Sequence, residues 1–288
     1  MSKIKIVTDS AADLAQKHED LYDIEVLPFK ITLNDESYTD RTDFTPTEFY
    51  GLLDEAEYSP VTEPISAFEF GELYYDLLDQ GYTDIIYLSV CGKGSETYKN
   101  SVLAREHFFE DNPDAAEKLN IYCIDSGSYS GGYGYAATEA AKMADRGAPA
   151  EEIVKFLKDW CKKCVIYFGL YSSKYAKKSE IIDLDSAFVG ELLGFRPIME
   201  VREGVISTEA TVRREGAILP FLSELCTEEI EAGSPYCILF GNCSEESEGL
   251  AALLTSVLGY PPAEVYQIGA VTTCHTGYEA VGVVFKSK

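Results

Sequence analysis

One segment, residues 83–105 (TDIIYLSVCGKGSETYKNSVLAR), constrains this chain more than any other. Residues 85–90 form a short apolar run rich in β-branched side chains, which predicts a buried strand. Gly92 and Gly94 then interrupt it. From Glu96 onward polar and apolar residues fall at helical spacing, through Tyr98, Val102 and Leu103. Strand, glycine loop, helix is a layout that offers backbone N–H groups and a hydroxyl to an anion. In an open parallel sheet such loops line the crevice at the carboxyl ends of the strands. Ser95, at the mouth of the loop, is the first candidate binding residue.

The same alternation surrounds this segment. Residues 4–7 predict a strand, and Asp9 or Ser10 can cap a helix over 11–17. Residues 24–27 predict a second strand, and 28–38 a hairpin turning at Asn34-Asp35. Thr45-Pro46-Thr47-Glu48 reads as a capping box with proline at the first helical position, opening a helix to about residue 56. A loop over 60–64 follows. Ser66 and Glu69 form a second capping box, on a helix that reaches 80 and stops at Gly81. A strand over 119–124 and an alanine-rich helix over 133–144 complete a doubly wound parallel sheet.

After the amphipathic helix predicted over 150–163 and a strand over 165–171, the rhythm changes. Residues 198–201 and 205–211 read as a hairpin around Glu203-Gly204, and 212–232 contain a long helix. Strands over 236–240 and 265–268 flank a helix over 246–258, and a strand over 281–285 follows. The expectation is a two-domain α/β protein. Residues 1–160 would form an N-terminal α/β domain with the parallel sheet, and 161–288 a C-terminal α/β domain with a mixed sheet.

Charge narrows the partners. The 288 residues carry 24 basic and 49 acidic side chains, a net charge of −25. Nucleic acid and anionic membrane would both repel such a chain. The start, MSKIKIVTDS, has no signal-peptide apolar core, and no apolar run approaches the ~18 residues of a membrane span, so a cytoplasmic location is expected. The eight cysteines are then expected to be buried thiols. Cys161 and Cys164 imitate a redox pair, but at a predicted helix end rather than the N-terminus that would activate a thiol. Gly92-Lys93-Gly94-Ser95 lacks the full phosphate-loop pattern. Only three histidines occur, and no metal site or cofactor is expected. His18 and His107 are expected at the surface. His275 stands apart, in a hydroxyl-rich stretch (Thr272-Thr273-Cys274-His275-Thr276-Gly277) read as a turn between strands.

Six blocks, in order, carry a resemblance. They are Ile6-Val7-Thr8-Asp9-Ser10 with Asp13-Leu14; Leu27-Pro28; Tyr38-x-Asp40 with Asp43 and Glu48-Phe49-Tyr50; Asp125-Ser126 with Ser130-Gly131; Arg196-Pro197-Ile198 with Glu203-Gly204; and His275-Thr276-Gly277 with Ala280-Val281-Gly282. Over nearly its whole length the chain resembles the DegV family of fatty-acid-binding proteins, the lipid-carrying subunits of bacterial fatty acid kinase. The resemblance implies two α/β domains with a long-chain fatty acid between them. Its tail would lie in an apolar tunnel, mostly in the C-terminal domain, and its carboxylate on hydroxyls and a histidine. A separate kinase subunit would phosphorylate that carboxylate, so the protein itself would not be an enzyme.

Carried over residue by residue, the implied carboxylate anchors are Thr62, Ser95 and His275, with Ser66, Thr97, Arg196 and Thr276 in support. The family's threonine-serine-glutamine-proline-serine loop falls on residues 62–66, where only Thr62 and Ser66 remain. Its serine-serine-x-leucine-serine-glycine-threonine-tyrosine loop falls on 91–98, where Cys91, Gly92, Gly94 and Glu96 depart. The position of its head-group arginine holds Glu180, and Tyr278-Glu279 replaces a glycine-rich turn. Acids at 63, 96, 180 and 279 would oppose an anion unless they face solvent; Lys93, Lys178 or Arg196 would then have to compensate. Two alternatives follow: a relative retuned to a different lipid-like ligand without a kinase partner, or an enzyme using Ser95 with His275. The second lacks the G-x-S-x-G elbow around Ser95.

Overall fold

The computed structural model describes residues 3–179, 182 and 194–288. Its N-terminal part is built on a parallel sheet of β1 (Ile4–Asp9), β2 (Glu25–Leu27), β6 (Asp84–Ser89) and β7 (Asn120–Asp125), in the order β2-β1-β6-β7. Every residue of β6 is buried, as befits a central strand covered on both faces. Helix α4 (Thr97–Asp111) packs on β7 and on α3 (Ala67–Asp79), while α5 (Gly131–Asp145) and α6 (Ala150–Lys163) cover the other face. This is the doubly wound parallel sheet expected from sequence.

A small antiparallel sheet, β4-β3-β5, stands beside it, made of β3 (Lys30–Leu33), β4 (Glu36–Thr39) and β5 (Val61–Glu63). The hairpin turns at Asn34 and Asp35, both with positive φ (50° and 65°), which is the twist a two-residue hairpin requires. Residues 60–64 were expected as a loop. Thr62 instead pairs with Ile31, so β5 is a short strand. Both expected capping boxes form, Thr45 with Glu48 on α2 (Pro46–Asp54) and Ser66 with Glu69 on α3.

The mixed sheet is β10-β9-β8-β13-β11-β12. Its strands are β8 (Cys164–Leu170), β9 (Phe195–Arg202), β10 (Val205–Arg213), β11 (Tyr236–Phe240), β12 (Glu264–Gln267) and β13 (Ala280–Lys286). Strand periodicity sorts its side chains into two cores. Val165, Tyr167, Ile198, Ile238, Val281 and Val283 pack under α7 (Ile218–Glu229) and α8 (Ser244–Leu258). Ile166, Phe168, Val201, Leu239 and Val284 point the other way, toward the parallel-sheet half, and join its core.

The N-terminus of α5 is wedged between the two halves. A Cβ on Gly131 would stand 2.7 Å from the Tyr266 ring, and one on Gly132 would stand 2.2 Å from Ser128 Oγ. Only glycine lets this helix start so close to both layers.

Three further expectations need correction. No helix spans 11–17: Ser10–Ala12 form one 3₁₀ turn, Asp13 ends it in the left-handed region (φ 53°), and α1 runs Gln16–Tyr22. The reason is that the supposed caps are used elsewhere. Asp9 accepts from Tyr87, Tyr133 and Val90, and Ser10 Oγ accepts the Phe29 N–H. The long helix expected within 212–232 is α7, which starts after β10 ends at Arg213. His18 is buried, with Nε2 3.0 Å from Glu264. His275 lies on a helix, α9 (Ala270–Thr276), not in a turn. Glu180 lies outside the described residues.

Candidate functional site

The carboxyl ends of the parallel strands carry two acids, Asp9 buried and Asp125 half-buried. Asp9, at the end of β1, takes hydrogen bonds from Tyr133 Oη (2.5 Å), Tyr87 Oη (2.8 Å) and Val90 N (2.9 Å). Asp125, at the end of β7, takes the N–H groups of Gly92 and Gly127, both at 2.9 Å. These bonds fix the glycine loop after β6 and use up its donors. Gly94 and Ser95 give their N–H groups to the Cys91 carbonyl, Lys93 gives its own to Cys91 Sγ, and Thr97 gives its own to Ser95 Oγ. The loop therefore holds its shape internally and does not offer those N–H groups to an anion. What it offers is the Ser95 side chain.

Above that loop, between the parallel sheet and the mixed sheet, lies a cavity enclosing about 810 Å³ of unfilled space, its mouth included. Its wall is mostly apolar: Phe29, Ile166, Phe168, Val201, Leu239 and Ile268 are representative. Gly282 pairs with Phe168 on one side and Leu239 on the other, so the middle of the sheet is bare of side chain there. The polar lining gathers at Thr62, Ser95, Tyr129, Ser130, Thr272, His275 and Thr276.

Thr62, Ser95, His275 and Thr276 are thus brought to one cavity from three distant stretches of sequence. Ser66, Thr97 and Arg196 are not part of its lining. The Ser66 hydroxyl is engaged with Glu69 at the start of α3. Thr97 is fully buried; its Oγ1 accepts the Ile65 N–H (3.2 Å) and lies 2.9 Å from Ser95 Oγ. It ties the segment after β5 to the start of α4. The Arg196 guanidinium meets Glu215 (2.8 Å) and the Phe195 carbonyl. Of the acids that raised concern, Glu63, Glu96 and Glu279 are all exposed and absent from the lining, and Glu96 pairs with Lys99. Lys93 and Lys178 are exposed too, Lys93 reaching the Glu203 carbonyl.

Sequence reasoning missed the group that organises the polar end. Asp13 accepts from Ser130 Oγ (2.5 Å), Gly269 N (2.8 Å) and Thr272 Oγ1 (3.0 Å). It joins the turn after β1, the start of α5 and the start of α9. The left-handed Asp13 in a run otherwise read as helix had no signal beyond its place in the first block.

Burial sets the titration of this region. Desolvation raises Asp13 to about 7, and Asp9 and Asp40 to about 6. It lowers His275 to about 4, so that imidazole is neutral at neutral pH. Its Nδ1 stands 3.2 Å from Ser179 Oγ. The three aspartates favour the protonated form on folding. Their contribution is complete below the ordinary carboxylate pKa and is lost as pH rises through about 6 to 7. His275 acts oppositely: its contribution is present above 6.5 and is lost as pH falls through about 4. Three groups oppose one, so the urea midpoint is expected to rise from about pH 8 to about pH 5.5, and Asp13→Asn to flatten that rise. A midpoint that falls over this window would contradict the assignment.

Among the described residues no grouping resembles a redox or metal centre. All eight cysteines are free; burial raises Cys161 well above the usual thiol range and pushes Cys164 up to about 12. Among the described residues no three His, Cys, Asp or Glu side chains are grouped to hold a metal ion, and no helix is long and apolar enough to cross a membrane.

Comparison with known proteins decides the family. The model of the DegV family of uncharacterised proteins matches residues 3–288. The chain belongs to the DegV family. A DegV domain-containing protein of Caldanaerobacter subterraneus is 30% identical over 290 residues, covering 100% of both chains. A DegV lipid-binding protein of Thermotoga maritima, 26% identical, superposes with a TM-score of 0.83 over 99% of this chain and 100% of its own. A stearic-acid-binding protein of Eubacterium ventriosum, 22% identical, has the same fold, with a TM-score of 0.86 over 99% and 98% of the two chains. The mixed and parallel sheets described above are those of this two-domain DegV fold.

Proposed function

We propose that this DegV protein binds a long-chain fatty acid in the cavity between its sheets, and presents the carboxylate to a separate kinase subunit. The observation that carries the reading is a mostly apolar cavity whose polar lining, among the described residues, consists of hydroxyls and a neutral histidine. The lipid-binding Thermotoga relative shares the fold at 26% identity, which supports the same ligand class.

Proton accounting names the anchors. Fully buried Thr97 uses its oxygen to accept from Ile65, and Ser95 is where its own proton can go. Ser95 then accepts from Thr97 twice, through N–H and O–H, and keeps its own proton for the ligand. Thr62 Oγ1 has no partner among the described residues. In the tautomer that accepts the Ser179 hydroxyl at Nδ1, His275 carries its hydrogen on Nε2 and can donate it. Thr62, Ser95 and His275 supply three donors to an acceptor-only carboxylate. Thr276 differs: its hydroxyl is given to the carbonyls of Thr272 and Gly277, so it shapes the site without donating. The acids at 63, 96 and 279 face solvent, so these three do not oppose an anion in the cavity.

Mass spectrometry of organic extracts from the purified protein tests the reading, and a protein free of any acyl chain would sink it. Transfer of phosphate to the loaded protein's ligand by a fatty acid kinase tests the hand-over separately. Ser95→Ala and His275→Ala are each expected to weaken palmitate binding by about tenfold, the loss of one charge-assisted hydrogen bond. Lipid should still co-purify, because a buried tail contributes ~0.8 kcal/mol per CH₂. If either change empties a folded protein of lipid, the tail does not dominate retention.

A further inference from the structure

The hydroxyls of the cavity divide into two sets by where their protons go. Thr62 and Ser95 keep theirs for the ligand. Ser130 and Thr272 do not: both donate to Oδ2 of Asp13, at 2.5 and 3.0 Å. A hydroxyl has one proton and two lone pairs. With the proton directed at Asp13, each oxygen has only lone pairs left to offer, on two residues of the cavity wall. Among the described residues no group donates to either oxygen, so both have acceptor capacity to spare. Asp13 is itself clamped, its other oxygen taking the Gly269 N–H at 2.8 Å, in a packing where even a methyl group on Gly269 would meet it at 2.6 Å. The pair is a built feature of the fold.

A fatty acid carboxylate cannot use it. Carboxylate oxygens only accept, and so do these two. An alkyl chain leaves them idle. Their position relative to the head group is fixed by α9. Thr272, His275 and Thr276 are spaced three and four residues apart on one face of this helix. Thr272 therefore sits roughly 4.5 Å along the helix from His275, the anchor on this helix. A donor a few carbons from the carboxylate falls within that reach.

We propose that the preferred ligand is a hydroxylated acyl chain, its hydroxyl a few carbons from the carboxylate and donating to the Ser130–Thr272 pair. This rests on the fatty-acid reading above. The discrimination has a physical sign. In a wholly apolar tunnel an added hydroxyl loses its water and weakens binding. At a waiting acceptor pair it is compensated and strengthens binding.

The experiment uses delipidated full-length protein at about pH 8, where Asp13 is ionised. Palmitate and positional isomers of hydroxypalmitate are titrated by calorimetry against wild type, Thr272→Val and Ser130→Ala. At least one isomer is expected to bind wild type about tenfold more tightly than palmitate does. Either substitution should abolish that preference, so that the favoured isomer and palmitate bind the variant within about twofold of one another, and an unchanged circular dichroism spectrum reports that the variant has folded. Palmitate binding with no isomer tighter overturns the proposal and leaves the fatty-acid reading standing. A preference that survives in both variants overturns the assignment to Ser130 and Thr272. Failure of palmitate and every isomer to bind overturns both readings.

Discussion

Replacing Asp9 with alanine is expected to destabilise the protein by about 3 kcal/mol or more, since it leaves buried donors with nothing to bond. Val90 N–H and Tyr133 Oη lose their partner outright, whereas Tyr87 Oη retains Ser89 Oγ at 3.2 Å. Each orphaned buried group costs ~1–3 kcal/mol, partly offset because a carboxyl that burial holds near pKa 6 is no longer desolvated. In a fold of ordinary marginal stability, ~5–15 kcal/mol, this is a large fraction. Asp9→Asn keeps the shape and an acceptor oxygen and should cost distinctly less. Urea midpoints of the two variants decide the matter. Equal losses would mean that side-chain volume, not hydrogen bonding, holds the strand ends together. The consequence reaches the site, because Val90 leads directly into the loop that carries Ser95.

The same residue shows where the sequence was readable. Thr45 with Glu48 and Ser66 with Glu69 formed the capping boxes their spacing predicted, because partner and acceptor lie three residues apart. Asp9 looked like another cap, yet its partners are 78, 81 and 124 residues away. A local pattern cannot report a competitor from across the fold, and the buried tyrosines outcompeted the helix. Asp13 is the extreme case, with one partner 259 residues distant. The elements of the parallel sheet were legible for the opposite reason: each strand run was continuous and each helix periodic. For the site, resemblance nominated residues by type and position. Geometry then separated Thr62, Ser95, His275 and Thr276, which line the cavity, from Ser66 and Thr97, whose hydroxyls hold helix starts and loops in place. The glycine loop moved furthest. Its spacing suggested backbone donors for an anion, whereas Asp125 and Cys91 consume them, leaving a rigid platform for one hydroxyl.

Removing the ligand is expected to lower the melting temperature by roughly 8 °C or more. A ligand held at a thousand times its dissociation constant stabilises the folded state by about 4.1 kcal/mol, and each kcal/mol is ~2–4 °C for a chain somewhat shorter than this. The cavity makes the effect asymmetric between tail and head. Its wall is dominated by groups such as Phe29, Ile166, Phe168 and Leu239, which lose packing contacts when it empties, whereas Ser95 and Thr62 can exchange a carboxylate for water. Differential scanning calorimetry of delipidated protein, with palmitate, hexadecanol or butyrate added back, separates the two contributions. Palmitate should restore the transition fully and hexadecanol most of it, while butyrate, which has the head group but almost no tail, should restore little. Recovery by butyrate with none by hexadecanol would mean that the hydroxyl–histidine end, and not the apolar wall, holds the ligand. In that case Ser95 and His275 would govern retention as well as orientation, and the single substitutions proposed above would empty the protein.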